Sequence, residues 1–211
     1  MKYSDGRPVE IAFLIEISSK FPQMFLNEKG RTSVKNDGLM PSALSGPVLD
    51  FLMPKITLLG NGGAIWILAA LILLCTKKYR RQGVLLLVGL IAGVLVGNAC
   101  LKNLIARPRP CWLDSSVQLL IANPTDYSLP SRHTLSSVIG ATVLTKTDRR
   151  FGYAAIPLAA LIAFSRLYLY VHFPSDVLAA AVLGVALGEL VWRCGGKLLE
   201  RWHAPRGRQR A

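Results

Sequence analysis

Residues 83–101 read GVLLLVGLIAGVLVGNACL, an apolar run broken only by Asn98. A helix of about 20 such residues crosses the ~30 Å hydrocarbon core of a bilayer, so this run is read as a membrane span. Four more apolar runs accompany it: 56–76, 133–145, 152–171 and 177–194. The first is interrupted by Gly60-Asn61-Gly62-Gly63, and the last carries Glu189 and, next to its end, Arg193. Run 133–145 is short and ends in Lys146-Thr147-Asp148-Arg149-Arg150, which suits a helix inside the bundle or one with little tilt. The expected fold class is all-α: a polytopic membrane helical bundle of about five transmembrane helices plus an N-terminal amphipathic helix.

The charges between the runs orient them. Lys77-Lys78-Tyr79-Arg80-Arg81 joins the first two, residues 146–150 join the third and fourth, and a basic tail follows the fifth. Five spans put all three basic regions on one side, which the positive-inside rule assigns to the cytoplasm. The same regions supply most of the net charge of +13, which comes from 25 basic and 12 acidic residues. Because long uncharged stretches separate the clusters, a lipid bilayer and not a nucleic acid is the expected partner. Overall, 52% of residues are hydrophobic, little above the roughly 45–50% of ordinary proteins, so the arrangement decides and the percentage does not.

Residues 9–26 carry Glu10, Glu16 and Lys20, which spoils a clean apolar core and argues against a cleavable signal peptide. An interfacial helix on the outer surface is preferred to a sixth span. The chain therefore divides into an N-terminal segment (1–46), a membrane-embedded domain (47–194) and a basic cytoplasmic tail (195–211). Cys75, Cys100, Cys111 and Cys194 form no CxxC pair and no metal-ligand spacing, so they are read as packed small residues.

Polar residues gather where the spans meet the non-cytoplasmic face. Lys102 and Arg109-Pro110 end the second span, Pro130-Ser131-Arg132-His133 opens the third, and Ser165-Arg166, His172 and Ser175-Asp176 lie between the fourth and fifth. Lys102, Arg109 and Arg166 can neutralise phosphate oxygens, arginine through its planar fork and lysine as a point charge. His172 stands just before a helix with Pro174 in its first turn, within reach of the Asp176 carboxylate. A carboxylate on one ring nitrogen leaves the other free to attack. His133, at a helix start that favours anions, can protonate a departing oxygen. His203 is read as a solvated residue of the tail. Trp112, Tyr127, Tyr168 and Tyr170 are read as an aromatic belt at the membrane surface.

With these spacings the chain resembles the type 2 phosphatidic acid phosphatase family, membrane lipid-phosphate phosphatases related to vanadium haloperoxidases, bacterial branch. Lys102, six residues, then Arg109-Pro110 matches the first family motif, and Ser165-Arg166, His172 and Ser175-Asp176 match the third. The likeness extends over roughly residues 47–192. It implies His172 as a nucleophile that forms a phosphohistidine, Asp176 orienting it, and His133 as general acid and later the activator of water. It also implies Lys102, Arg109, Ser131 and Arg166 as phosphate ligands, with no metal or cofactor. The second motif departs from the family pattern, since Arg132 replaces glycine. Arg132 crowds the pocket, or adds a phosphate-binding cation suited to a diphosphate, or points to the lipid surface.

The resemblance implies hydrolysis of a phosphomonoester or diphosphate carried on a lipid. Undecaprenyl diphosphate is favoured, with phosphatidylglycerol phosphate and phosphatidic acid next. Two alternatives stand beside it: a lipid phosphotransferase, and a silent lipid-phosphate-binding protein in which Arg132 has abolished turnover. Oligomeric state is not legible in the chain.

Overall fold

In the computed structural model, residues 46–114 and 117–197 are described. The expected N-terminal amphipathic helix, and most of the basic tail with His203, lie outside them. Helices α1 (Pro47–Leu59) and α2 (Ala64–Cys75) are joined by a 3₁₀ turn, Asn61–Gly63, and form a pair bent by 43°. Gly62 and Gly63 both have positive φ, 59° and 74°, which glycine adopts without steric cost. Helix α3 (Arg80–Gly93) runs on through the π-helical Val94–Leu101 into the turn Lys102–Ile105. The short α4 (Pro110–Leu113) starts with proline at its first position, where no N–H is missed. Then come α5 (Arg132–Thr147), α6 (Arg149–Tyr168) and α7 (Pro174–Leu190), the last extended by the π-helical Val191–Gly195.

Three helical stretches are long and apolar enough to cross a membrane: Arg80–Leu113, Arg149–Tyr168 and Pro174–Gly195. The bent α1–α2 pair makes up to four. The run expected as a third span is α5, which does not meet that standard. Its 16 residues extend about 24 Å, and it carries Thr134 and Ser137 fully buried. Those hydroxyls are tolerable because α5 packs against α3, α6 and α7, with Leu135, Ile139 and Val143 in the core. Trp66 of α2 reaches it as well, donating from Nε1 to Ser137 Oγ at 3.0 Å. A Cβ on residue 140 would stand 2.4 Å from the indole Cε3, so Gly140 is what admits that ring.

The two ends of the bundle differ. At one end the basic loops meet: Tyr79 donates to Asp148 Oδ2 at 3.4 Å, and Lys146 pairs with Glu189 at 2.7 Å. Glu189 also accepts from Arg193 Nε at 3.1 Å, so this carboxylate is neutralised where α5 and α7 end. At the other end lie the residues of the three motifs. Tyr168 departs from the belt expected for it: the side chain is fully buried, donating to Asp50 Oδ1 of α1 at 2.6 Å. Trp112 and Tyr127 are partly exposed and meet edge to face.

Candidate active site

Two left-handed residues bend the chain so that motif side chains turn back over the bundle. Ala106 (φ 47°) lies between Lys102 and Arg109, and Tyr170 (φ 56°) lies between Arg166 and His172. Positive φ is uncommon outside glycine and costs of order 1–3 kcal/mol, so the surrounding contacts must hold these turns in place. They do so through backbone ties between the motifs. Ser128 N donates to Arg107 O at 2.9 Å, Ser131 N to Asp176 O at 3.3 Å, and Arg109 Nη1 to Val171 O at 2.7 Å.

Lys102, Arg109, Ser131, His133, Arg166, His172 and Asp176 are all buried and gathered at this end. Arg132 is the exception: it opens α5 with an exposed side chain at the rim. All five N–H groups of Arg109 are engaged. Nε meets Asp126 O at 2.6 Å, Nη1 meets Val171 O and His172 Nε2 (3.2 Å), and Nη2 meets Asp126 Oδ1 (2.6 Å) and Tyr127 O (3.3 Å). Lys102 Nζ donates to the other oxygen of Asp126. Burial pushes the Asp126 carboxyl up, but Lys102 and Arg109 outweigh it and hold the group well below the usual carboxylate range. Arg166 donates from Nη1 to Thr57 Oγ1 of α1 at 2.6 Å, while its Nε is buried with no partner among the described residues.

His172 and Asp176 come together at one side of the site, without a direct hydrogen bond between them. Nδ1 and Oδ2 are 3.7 Å apart, beyond hydrogen-bond range. Ser128 Oγ sits between them, 3.3 Å from Nδ1 and donating to Oδ2. Asp176 also accepts from Phe173 N (2.9 Å), as the third residue of α7 reaching back to its N-cap. Its Oδ1 accepts from Arg107 Nη1 at 2.6 Å. Burial, with the charges of Arg109 and Arg166, overrides the pull of Asp176 and pushes His172 down to about 3, so the ring is neutral. His133 Nε2 lies 2.8 Å from Asn61 Oδ1, and a Cβ on residue 60 would meet its Cδ2 at 2.8 Å. The bent α1–α2 turn is thus shaped around that ring.

Asn61, Thr57, Arg107, Asp126 and Ser128 are the site's additions to the sequence reading. Arg107 had a visible signal, as the first half of Arg107-Pro108-Arg109-Pro110. The others are single polar residues with no spacing to mark them.

A family model described as the PAP2 superfamily matches residues 82–200. An undecaprenyl-diphosphatase of Sulfolobus acidocaldarius is 35% identical over 57% of this chain, spanning 58% of its own length, less than two thirds. An undecaprenyl-diphosphatase of Bacillus subtilis is 29% identical over 69% of this chain and 75% of its own. The crystal structure of a transmembrane PAP2-type phosphatidylglycerolphosphate phosphatase from Bacillus subtilis shares the fold. Its TM-score is 0.61 at 21% identity, over 93% of this chain and 96% of that one.

Proposed function

The chain belongs to the PAP2 superfamily and is a multi-pass membrane protein, and we propose that it hydrolyses a lipid-borne phosphate, undecaprenyl diphosphate before any other, through a phosphohistidine. One observation carries this reading. Around the two histidines four cations, Lys102, Arg107, Arg109 and Arg166, face two carboxylates, Asp126 and Asp176, which leaves an excess of two positive charges. Buried charge is costly unless paired, and a phosphate dianion balances that excess. Arg132 at the rim adds a third positive charge, which suits the second phosphate of a diphosphate. The names of the two undecaprenyl-diphosphatase relatives point the same way.

An entering phosphate exchanges with the Asp126 carboxylate on Lys102 and Arg109 and fills the open valence of Arg166 Nε. Ser131 and Arg132 complete the phosphate ligands. The lone pair of His172 Nε2 then attacks the terminal phosphorus as the bond to the bridging oxygen breaks. His133 gives the departing polyprenyl phosphate its proton. Water next attacks the phosphohistidine while His133 takes up its proton, releasing inorganic phosphate and restoring His172. Electrostatic stabilisation by preorganised donors carries most of the rate in such transfers.

In this reading residues 47–194 form the phosphatase domain, and α5 is a fifth crossing enclosed by the others. The site opens to the non-cytoplasmic side, away from the basic loops. Phosphate release in detergent with EDTA tests it, from undecaprenyl diphosphate, phosphatidylglycerol phosphate and phosphatidic acid. Wild type is expected to release phosphate, fastest from the diphosphate, and His172→Ala none. Equal release by both proteins rejects the reading.

A further inference from the structure

We propose that Ser128 is a positioning residue that carries the influence of Asp176 to His172 through its hydroxyl and fixes which ring nitrogen bears the proton. The inference rests on His172 as nucleophile.

The Asp176 carboxylate is already occupied. Arg107 takes Oδ1, and Oδ2 accepts from both Phe173 N and Ser128 Oγ. An ionised carboxylate oxygen offers about two lone-pair sites, so Oδ2 has none left for the imidazole at 3.7 Å. The nearer partner of Nδ1 is Ser128 Oγ at 3.3 Å. Proton bookkeeping then allows one arrangement. A carboxylate only accepts, so the single hydroxyl proton of Ser128 goes to Asp176. The serine oxygen is left as an acceptor, and Nδ1 must be the N–H donor facing it.

The far side of the ring gives the same answer independently. Arg109 Nη1 lies 3.2 Å from His172 Nε2, and a guanidinium has no lone pair to offer. Nε2 must therefore hold the lone pair, which is the nitrogen free to attack phosphorus. Ser128 is itself held firmly: its side chain is fully buried, and its N–H donates to Arg107 O at 2.9 Å. Arg107, Ser128, Asp176 and His172 thus form one closed chain of polar contacts. Within that chain, among the described residues, the serine hydroxyl is the group on the carboxylate side that lies within hydrogen-bond range of the ring.

The test uses full-length protein in detergent, labelled with ¹⁵N in its 3 histidines. The tautomer of His172 is read by NMR, its signals assigned by loss in His172→Gln. Wild type is expected with the proton on Nδ1. Because Arg109 still favours the lone pair on Nε2, Ser128→Ala is expected to shift part of the population, not all of it, toward the Nε2–H form. On undecaprenyl diphosphate, kcat for Ser128→Ala is expected to fall by roughly ten- to a hundredfold, the scale of losing a group that orients a metal-binding histidine, with KM little changed. Ser128→Thr keeps the hydroxyl and restores both readouts. Should Ser128→Ala not fold, Ser128→Cys gives the same comparison, because a thiol is a weak acceptor. A His172 tautomer that is unchanged on removing the hydroxyl overturns the proposal, whatever happens to kcat. If wild type releases no phosphate, the lipid-phosphatase reading fails, and the tautomer still decides the role of Ser128.

Discussion

Arg109 Nη1 stands 3.2 Å from His172 Nε2, so the cation proposed to hold the phosphate also covers the nitrogen proposed to attack it. In the resting site the lone pair of Nε2 is engaged. A phosphate that draws Arg109 to itself releases Nε2 at the moment the electrophile arrives. Binding and activation are then one event.

That coupling makes Arg109→Lys a severe change. Lysine keeps the charge but loses the fork that reaches Asp126, Val171 and His172 together. We expect kcat/KM for phosphate release to fall by roughly a hundredfold, comparable with loss of one preorganised transition-state donor. A loss below about threefold contradicts the role given to the fork.

Asp126 occupies Lys102 and Arg109 where the phosphate is expected to bind. Asp126→Asn removes the competing charge while keeping the shape. Vanadate or inorganic phosphate should therefore inhibit this variant several-fold more strongly than wild type. Weaker inhibition means that Asp126 orders the cations and does not compete for them.

Arg132 tests the substrate. With its charge gone, Arg132→Gly should lose preference for the diphosphate over phosphatidic acid, measured as the ratio of their kcat/KM values. If the ratio stays constant while both rates rise several-hundred-fold, Arg132 is an obstruction and not a ligand.

His172 also makes stability depend on pH. Its folded value near 3 lies below the ordinary value of 6.5, so between them the unfolded chain binds a proton that the folded chain does not. Stability is therefore present above about 6.5 and is lost as pH falls toward 3. The slope from this residue is at most about 1.4 kcal/mol per pH unit. Thermal unfolding in detergent between pH 7 and pH 4 should show a smaller decline for His172→Gln than for wild type. Parallel curves contradict the neutral, buried ring.

Much of the site was legible because its residues sit at fixed intervals beside apolar runs: Lys102 before Arg109-Pro110, and Arg166 before His172 and Asp176. Ser128 and Asp126 were not legible because the run Thr125-Asp126-Tyr127-Ser128, in the loop between α4 and α5, matches no motif spacing, and the two are placed by the ties Ser128 N to Arg107 O and Arg109 Nε to Asp126 O. The i,i+4 spacing of His172 and Asp176 brings their side chains to 3.7 Å, and Ser128 Oγ stands between them. Sequence separation sets proximity, whereas the intervening hydroxyl comes from a segment 44 residues away. The number of spans was harder still. Hydropathy cannot separate a helix solvated by lipid from one solvated by protein, and α5, with Ser137 bonded to Trp66, is enclosed by its neighbours.

The most direct test is to mix the protein with undecaprenyl diphosphate bearing ³²P in its terminal phosphate, quench in base within one turnover, and map the label. A phosphohistidine survives base, so the label is expected on His172 in wild type and nowhere on His172→Ala. Rapid release of labelled phosphate with none ever held on His172, and full activity in His172→Ala, would contradict the account.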